Sequence, residues 1–104
     1  MAQRYTGKDA RNCGRRLANL LDREFGDDKS SCWVRKNGKL TAKIGCLTVD
    51  YNPIYGGAIL EEMMNEHGGV SHPFGEGRLK PYEFCRATRY AEGAVEMDRK
   101  KRGR

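Results

Sequence analysis

The sequence predicts an α+β domain: an antiparallel β-meander of three or four strands, with an N-terminal and a C-terminal helix packed on one face. Three observations carry that expectation. Apolar residues recur at three- and four-residue spacing near the N-terminus and again after Pro81, the period of a half-buried helix. Two apolar runs, 42–51 and 58–64, flank the turn-rich stretch Asn52-Pro53-Ile54-Tyr55-Gly56-Gly57. Asn37-Gly38 is the strongest short-range hairpin signal in the chain. With 104 residues the chain is one domain with room for a single modest core. Two helices on one sheet face would cover that core.

Thr6 is a good helix N-cap, and Asp9 three residues on complements the helix N-terminus. Ala10, Cys13, Gly14, Leu17, Leu20, Leu21 and Phe25 then extend an amphipathic helix of roughly five turns, with Gly26 at its C′ position. Residues 27–31 form a polar loop. Residues 32–35 make a short strand that turns at Asn37-Gly38, and the return arm merges into one long strand reaching Tyr51. Along it the apolar face changes sides, which predicts a bulge near Gly45.

The run 58–65 favours helix by propensity alone, since Ala, Leu, Glu and Met are good helix formers. Its short length, its flanking glycine pairs and its alternation assign it instead to a strand. Val70–Ser71 adds a short strand after Gly68-Gly69. Lys80-Pro81 opens the second helix, Pro suiting its first position. Phe84, Cys85, Thr88, Ala91, Ala94 and Val95 give that helix a buried face as far as about Met97. The organisation is a domain over 1–98 and a basic tail over 99–104.

The turns of this chain resemble those of a set of small bacteriophage-encoded proteins without established activity. The likeness rests on Asp50-Tyr51-Asn52-Pro53-Ile54-Tyr55-Gly56-Gly57, on Gly68-Gly69-Val70-Ser71-His72-Pro73-Phe74-Gly75, and on Phe84, and spans about residues 31–95. It implies an accessory phage-type protein of the host bacterial cytoplasm and implies no site. The helix–strands–helix order is also similar to the double-stranded-RNA-binding domain. That family has a Lys-rich start to its last helix, whereas this chain offers Lys80, Pro81 and then Glu83.

The net charge is +6, and the tail Arg99-Lys100-Lys101-Arg102-Gly103-Arg104 holds five of the positive side chains, leaving +1 for 1–98. No apolar run approaches the roughly 18 residues of a membrane span. The polar N-terminus lacks a secretory segment, so the expected setting is cytoplasmic and the four cysteines are expected reduced. Cys13, Cys32, Cys46, Cys85, His67 and His72 are soft ligands, but none falls in a chelating motif, so no metal or other cofactor is expected. No nucleophile elbow, paired-carboxylate face or Gly-Lys-Ser/Thr phosphate loop is present, and no catalytic residue is assigned.

The leading expectation is a non-enzymatic protein that binds DNA or RNA. Lys8, Arg11 and Arg15, at i, i+3 and i+7, make a basic helix ridge, and Arg99, Lys100, Lys101 and Arg102 a basic tail. Trp33 beside Arg35 and Lys36, and Tyr82 and Tyr90 near Arg86 and Arg89, interleave aromatic with basic side chains. The alternative is a protein-interaction module, presenting Tyr51, Ile54, Tyr55 and Phe74 from loops at the sheet ends to a host or phage protein. Self-association through an unpaired strand edge is a third possibility.

Overall fold

The computed structural model describes residues 5–27 and 29–102. Thr6 caps helix α1 (Gly7–Leu20) through a full capping box. The Asp9 N–H donates to Thr6 Oγ1 at 3.4 Å, and the Thr6 N–H donates to Asp9 Oδ2 at 2.8 Å. The helix is shorter than its apolar pattern suggested. It stops at a Leu21 cap, and Asp22 takes a left-handed φ of 57° that reverses the chain. Phe25–Gly26, expected to end the helix, instead form strand β1. A 3₁₀ turn, Lys29–Cys32, leads into β2 (Trp33–Lys36) and β3 (Lys39–Ala42). At the hairpin tip Asn37 and Gly38 both have positive φ, 51° and 77°, as a two-residue type I′ turn requires.

The expected single long strand is two strands in two sheets. After β3 the chain bends through residues 43–46 and resumes as β4 (Leu47–Asn52). Long-range hydrogen bonds fix the bend. The Lys43 N–H donates to the Cys32 carbonyl at 2.8 Å, and the Gly45 N–H to the Met63 carbonyl at 2.8 Å. The bulge foreseen near Gly45 is thus a complete break, with Gly45 at φ +86°. Strand β5 (Gly57–Met63) lies where the alternation placed it, β6 is Val70–Ser71, and α2 is Pro81–Arg102.

The main sheet is therefore mixed rather than an antiparallel meander. Its order is β1-β4-β5-β6, with β1 parallel to β4 and the remaining pairs antiparallel, while β2 and β3 form a separate two-stranded sheet. Its register sets Leu47 opposite Glu62, Val49 opposite Leu60 and Tyr51 opposite Ala58.

Both faces of that sheet are covered. On one, Leu47 and Val49 of β4 and Ala58 and Leu60 of β5 pack against Ala10, Leu17 and Ala18 of α1 and Phe84 of α2. Helical glycines cost about 1 kcal/mol each relative to alanine. Here they let α1 lie close, because a Cβ at Gly14 would sit 2.5 Å from Val49 Cγ2 and one at Gly7 2.3 Å from the Tyr51 ring. On the other face Cys32, Ala42, Cys46 and Met63 form a second cluster flanked by Trp33, so the hairpin docks there. The two edge strands of the main sheet are two residues each, a poor template for pairing with another chain. Among the described residues no helix is long and apolar enough to cross a membrane.

Candidate nucleic-acid interface

Helices α1 and α2 run parallel, side by side, on one face of the main sheet. Three contacts give the direction. Cys85 Sγ lies 3.5 Å from the Asp9 carbonyl oxygen, Arg16 Nη2 lies 3.4 Å from Glu92 Oε1, and the Arg99 guanidinium donates to the Leu20 carbonyl. Contacts therefore advance together along both helices. On α1, Asp9, Cys13, Arg16 and Leu20 face α2, while Ala10, Gly14, Leu17 and Ala18 face the sheet.

Charge is distributed unevenly over the layers. The residues of α1 hold four basic and one acidic side chain, and those of α2 six basic and four acidic, so the helical layer carries +5 of the net +6. Residues 21–80, with eight basic and nine acidic side chains, carry −1. The nearly neutral domain that the charge count suggested thus has a basic helical side.

On α2 the exposed residues Tyr82, Arg86, Tyr90, Gly93 and Met97 repeat every three or four positions, so they share the face opposite the buried Phe84, Cys85 and Thr88. Tyr90 is 71% exposed and Tyr82 52%, as large a pair of solvent-facing rings as α2 offers. Hydrogen bonding to Tyr90, with a smaller contribution from Tyr82, holds the Arg86 guanidinium still more firmly in its charged form. Tyr82 is also braced edge-on by Tyr5, ring centroids 5.4 Å apart. Their spacing was the available signal: 82, 86 and 90 are successive i+4 positions.

The basic residues expected to bind nucleic acid divide into two groups. Lys8 is exposed and Arg11 half-buried, and neither has an acidic partner among the described residues. Arg15 is engaged: it pairs with Asp27, donates to Asn12 Oδ1 at 3.2 Å and lies over the Phe25 ring at 5.5 Å. The tail is not separate from the second helix, which continues through Arg102 with four basic residues in its last turn. That placement complements the helix C-terminus. Arg99 serves the C-terminus of α1, whose own last turn has no basic residue. Arg102 pairs with Asp98 at 3.1 Å. Lys100 and Lys101 are exposed. Gly103 and Arg104 lie outside the described residues.

The loop aromatics also divide. Tyr51 is in β4 and packs on the first turn of α1, and Phe74 meets Phe84 edge-on at 5.9 Å. Ile54 and Tyr55 stand out from the β4–β5 turn, 86% and 74% exposed. Trp33 is a hairpin-docking residue, lying against Gly68. Sequence reasoning missed Arg78, in the loop between β6 and α2. This guanidinium donates to the carbonyls of Asp50 and Gly57, each at 3.0 Å, and pairs with Asp50 Oδ2 at 2.8 Å, tying together β4 and β5 where the turn joins them. It missed too the buried Glu61, whose Oε2 lies 3.6 Å from His72 Nε2 on the hairpin side of the sheet. Among the described residues no three His, Cys, Asp or Glu side chains gather as a metal-sized group.

Fold and surface together define a small α+β protein whose two parallel helices form a basic layer on a four-stranded mixed sheet. Compared with protein-family models, curated proteins and solved structures, the chain matches none.

Proposed function

We propose that this protein is a non-enzymatic accessory protein of the bacteriophage-encoded kind that binds DNA or RNA with the outer surface of its helical layer. The observation that carries the reading is the concentration of +5 on α1 and α2, with Tyr82, Arg86 and Tyr90 in line on the exposed face of α2. Basic side chains neutralise phosphates, and exposed tyrosine rings provide stacking surfaces for unpaired bases. Arg89, Lys8 and Arg11 supply further positive charge. The phage-type assignment is supported by the turn motifs alone.

The test is a titration of labelled single- and double-stranded DNA and RNA at about 50 and 200 mM salt, the range in which phosphate contacts reveal themselves. Binding that weakens steeply with salt, and that Arg86→Glu with Tyr90→Ala abolishes, is the expected result. No binding at either salt overturns the reading. A second reading has its own observation, the exposure of Ile54 and Tyr55 at the β4–β5 turn. It makes that turn the contact for a protein partner, and such a contact should be nearly insensitive to salt.

A further inference from the structure

The fold arranges the cysteines in a way that their sequence spacing conceals: four scattered residues become two adjacent pairs. Cys85 on α2 comes beside Cys13 on α1, and Cys32 packs with Cys46 in the cluster under the hairpin. The first pair bridges the helices, for Cys85 Sγ also lies 3.5 Å from the carbonyl of Asp9, one turn before Cys13 on the α2-facing side of α1. The second pair sits under the hairpin. There the backbone of Lys43 joins its members, donating to the Cys32 carbonyl at 2.8 Å and accepting from the Cys46 N–H at 3.2 Å.

Access separates the pairs. Cys32, Cys46 and Cys85 are 0%, 2% and 1% exposed, whereas Cys13 is only partly buried. A dissolved disulfide can therefore reach one sulfur of the first pair and neither of the second.

We propose that Cys13 and Cys85 are a modification site, closing into a reversible intramolecular disulfide that staples α1 to α2 when the protein meets a small-molecule disulfide such as oxidised glutathione. The Cys13 sulfur, as thiolate, attacks one glutathione sulfur. The glutathione S–S bond breaks, one glutathione leaves as a thiolate that takes up a proton, and a mixed disulfide remains on Cys13. The Cys85 sulfur then attacks the Cys13 sulfur, and the second glutathione leaves carrying the proton that Cys85 gives up. Two protein thiols are oxidised and one glutathione disulfide is reduced to two thiols. Burial makes Cys85 reluctant to ionise, raising its thiol to about 12. Its fixed position beside Cys13 offsets that by proximity. Excess reduced glutathione reverses both steps.

The experiment treats the intact, folded chain with oxidised glutathione, blocks remaining thiols with N-ethylmaleimide, and maps the peptides by mass. The expected product is a linked peptide pair joining residues 13 and 85, about 2 Da lighter than the sum of the two thiol peptides. Cys32 and Cys46 should be alkylated only after denaturation, and the oxidised chain should melt at a higher temperature than the reduced one. Cys85→Ser should stall with one glutathione on residue 13. Three results overturn the proposal: a wild-type chain that keeps glutathione on Cys13 without closing, one that links Cys13 to Cys32 or Cys46, or one that consumes no thiol.

Discussion

Salt tests the proposed binding surface most directly, and the pairing of its basic side chains sets how steep the response should be. Nine basic residues of the helical layer other than Lys100 sort by partner. Arg15, Arg16 and Arg102 hold Asp27, Glu92 and Asp98, and Arg99 holds the Leu20 carbonyl. Lys8, Arg11, Arg86, Arg89 and Lys101 have no acidic partner among the described residues. If those five make the phosphate contacts, the slope of log affinity against log salt is about −4.5 on double-stranded DNA and about −3.5 on a single strand. Raising salt from about 50 to 200 mM then costs about 500-fold and about 130-fold respectively. Recruiting every basic side chain of the layer would instead give a slope near −9. Fluorescence anisotropy with a labelled oligonucleotide at four salt concentrations measures it. Arg86→Ala with Arg89→Ala should flatten the slope by about 2. A loss below about tenfold over the same interval, or a slope unmoved in that double variant, would refute the sorting.

Other perturbations probe the scaffold. Gly57→Ala places a Cβ 2.1 Å from the Leu79 carbonyl oxygen at a φ of +126°, breaking the Ala58–Leu79 bridge that leads into α2. Strain and two lost backbone hydrogen bonds together cost about 3 kcal/mol, and a urea melt showing a loss under about 1 would count against that geometry. Gly68→Ala, with its Cβ 2.6 Å from the Trp33 ring, should undock the hairpin. The chain has one tryptophan, so a red shift of its emission reports that directly, and an unshifted spectrum contradicts it. Burial first, and then a neighbouring thiol, push Cys32 and Cys85 from an ordinary 9.0 up to about 12. The folded chain keeps two protons that the unfolded chain releases, so this contribution is complete below pH 9 and fades as pH rises towards 12. Under reducing conditions Cys32→Ala with Cys85→Ala should therefore lose less stability over that interval than wild type, measured by urea midpoints. Arg99→Ala removes the cation from the C-terminus of α1 and should cost about 0.5 kcal/mol in a thermal melt, while leaving the salt slope of binding unchanged.

What could be read from the sequence was local, and what could not was set by distant partners. The capping box of Thr6 and Asp9 and the Asn37-Gly38 turn each need only neighbouring residues, and both are present. Strand β5 was legible despite its helical propensity because Ala58 and Leu60 bury on one face and Ile59 and Met63 on the other. Strand β1 was hidden by the same logic. Phe25 continues the three-and-four spacing of α1, so periodicity places it in the helix, while the reversal at Asp22 leaves no signature of its own. The break at 43–46 is written in hydrogen bonds to Cys32 and Met63. A bulge is as much as a local reading of Gly45 can supply.

The candidate surface shows the same division, with a consequence for how such sites are read. Counting charges located basic helices but could not tell a residue that holds the fold from one that faces a ligand. Arg15, Arg99 and Arg102 stand in basic runs beside Arg11, Lys100 and Lys101, yet they serve Asp27, the end of α1 and Asp98. The sorting depends on which acid or carbonyl the fold brings near, so it follows from the parallel alignment of α1 with α2, which sequence spacing alone does not encode. That alignment also brings Cys13 beside Cys85. A disulfide there would restrain the two helices whose charged surfaces make up the proposed interface. If the proposed interface holds, oxidation alters its affinity by fixing the distance between Lys8 and Arg11 on one helix and Arg86 and Arg89 on the other, without touching any residue proposed to contact phosphate.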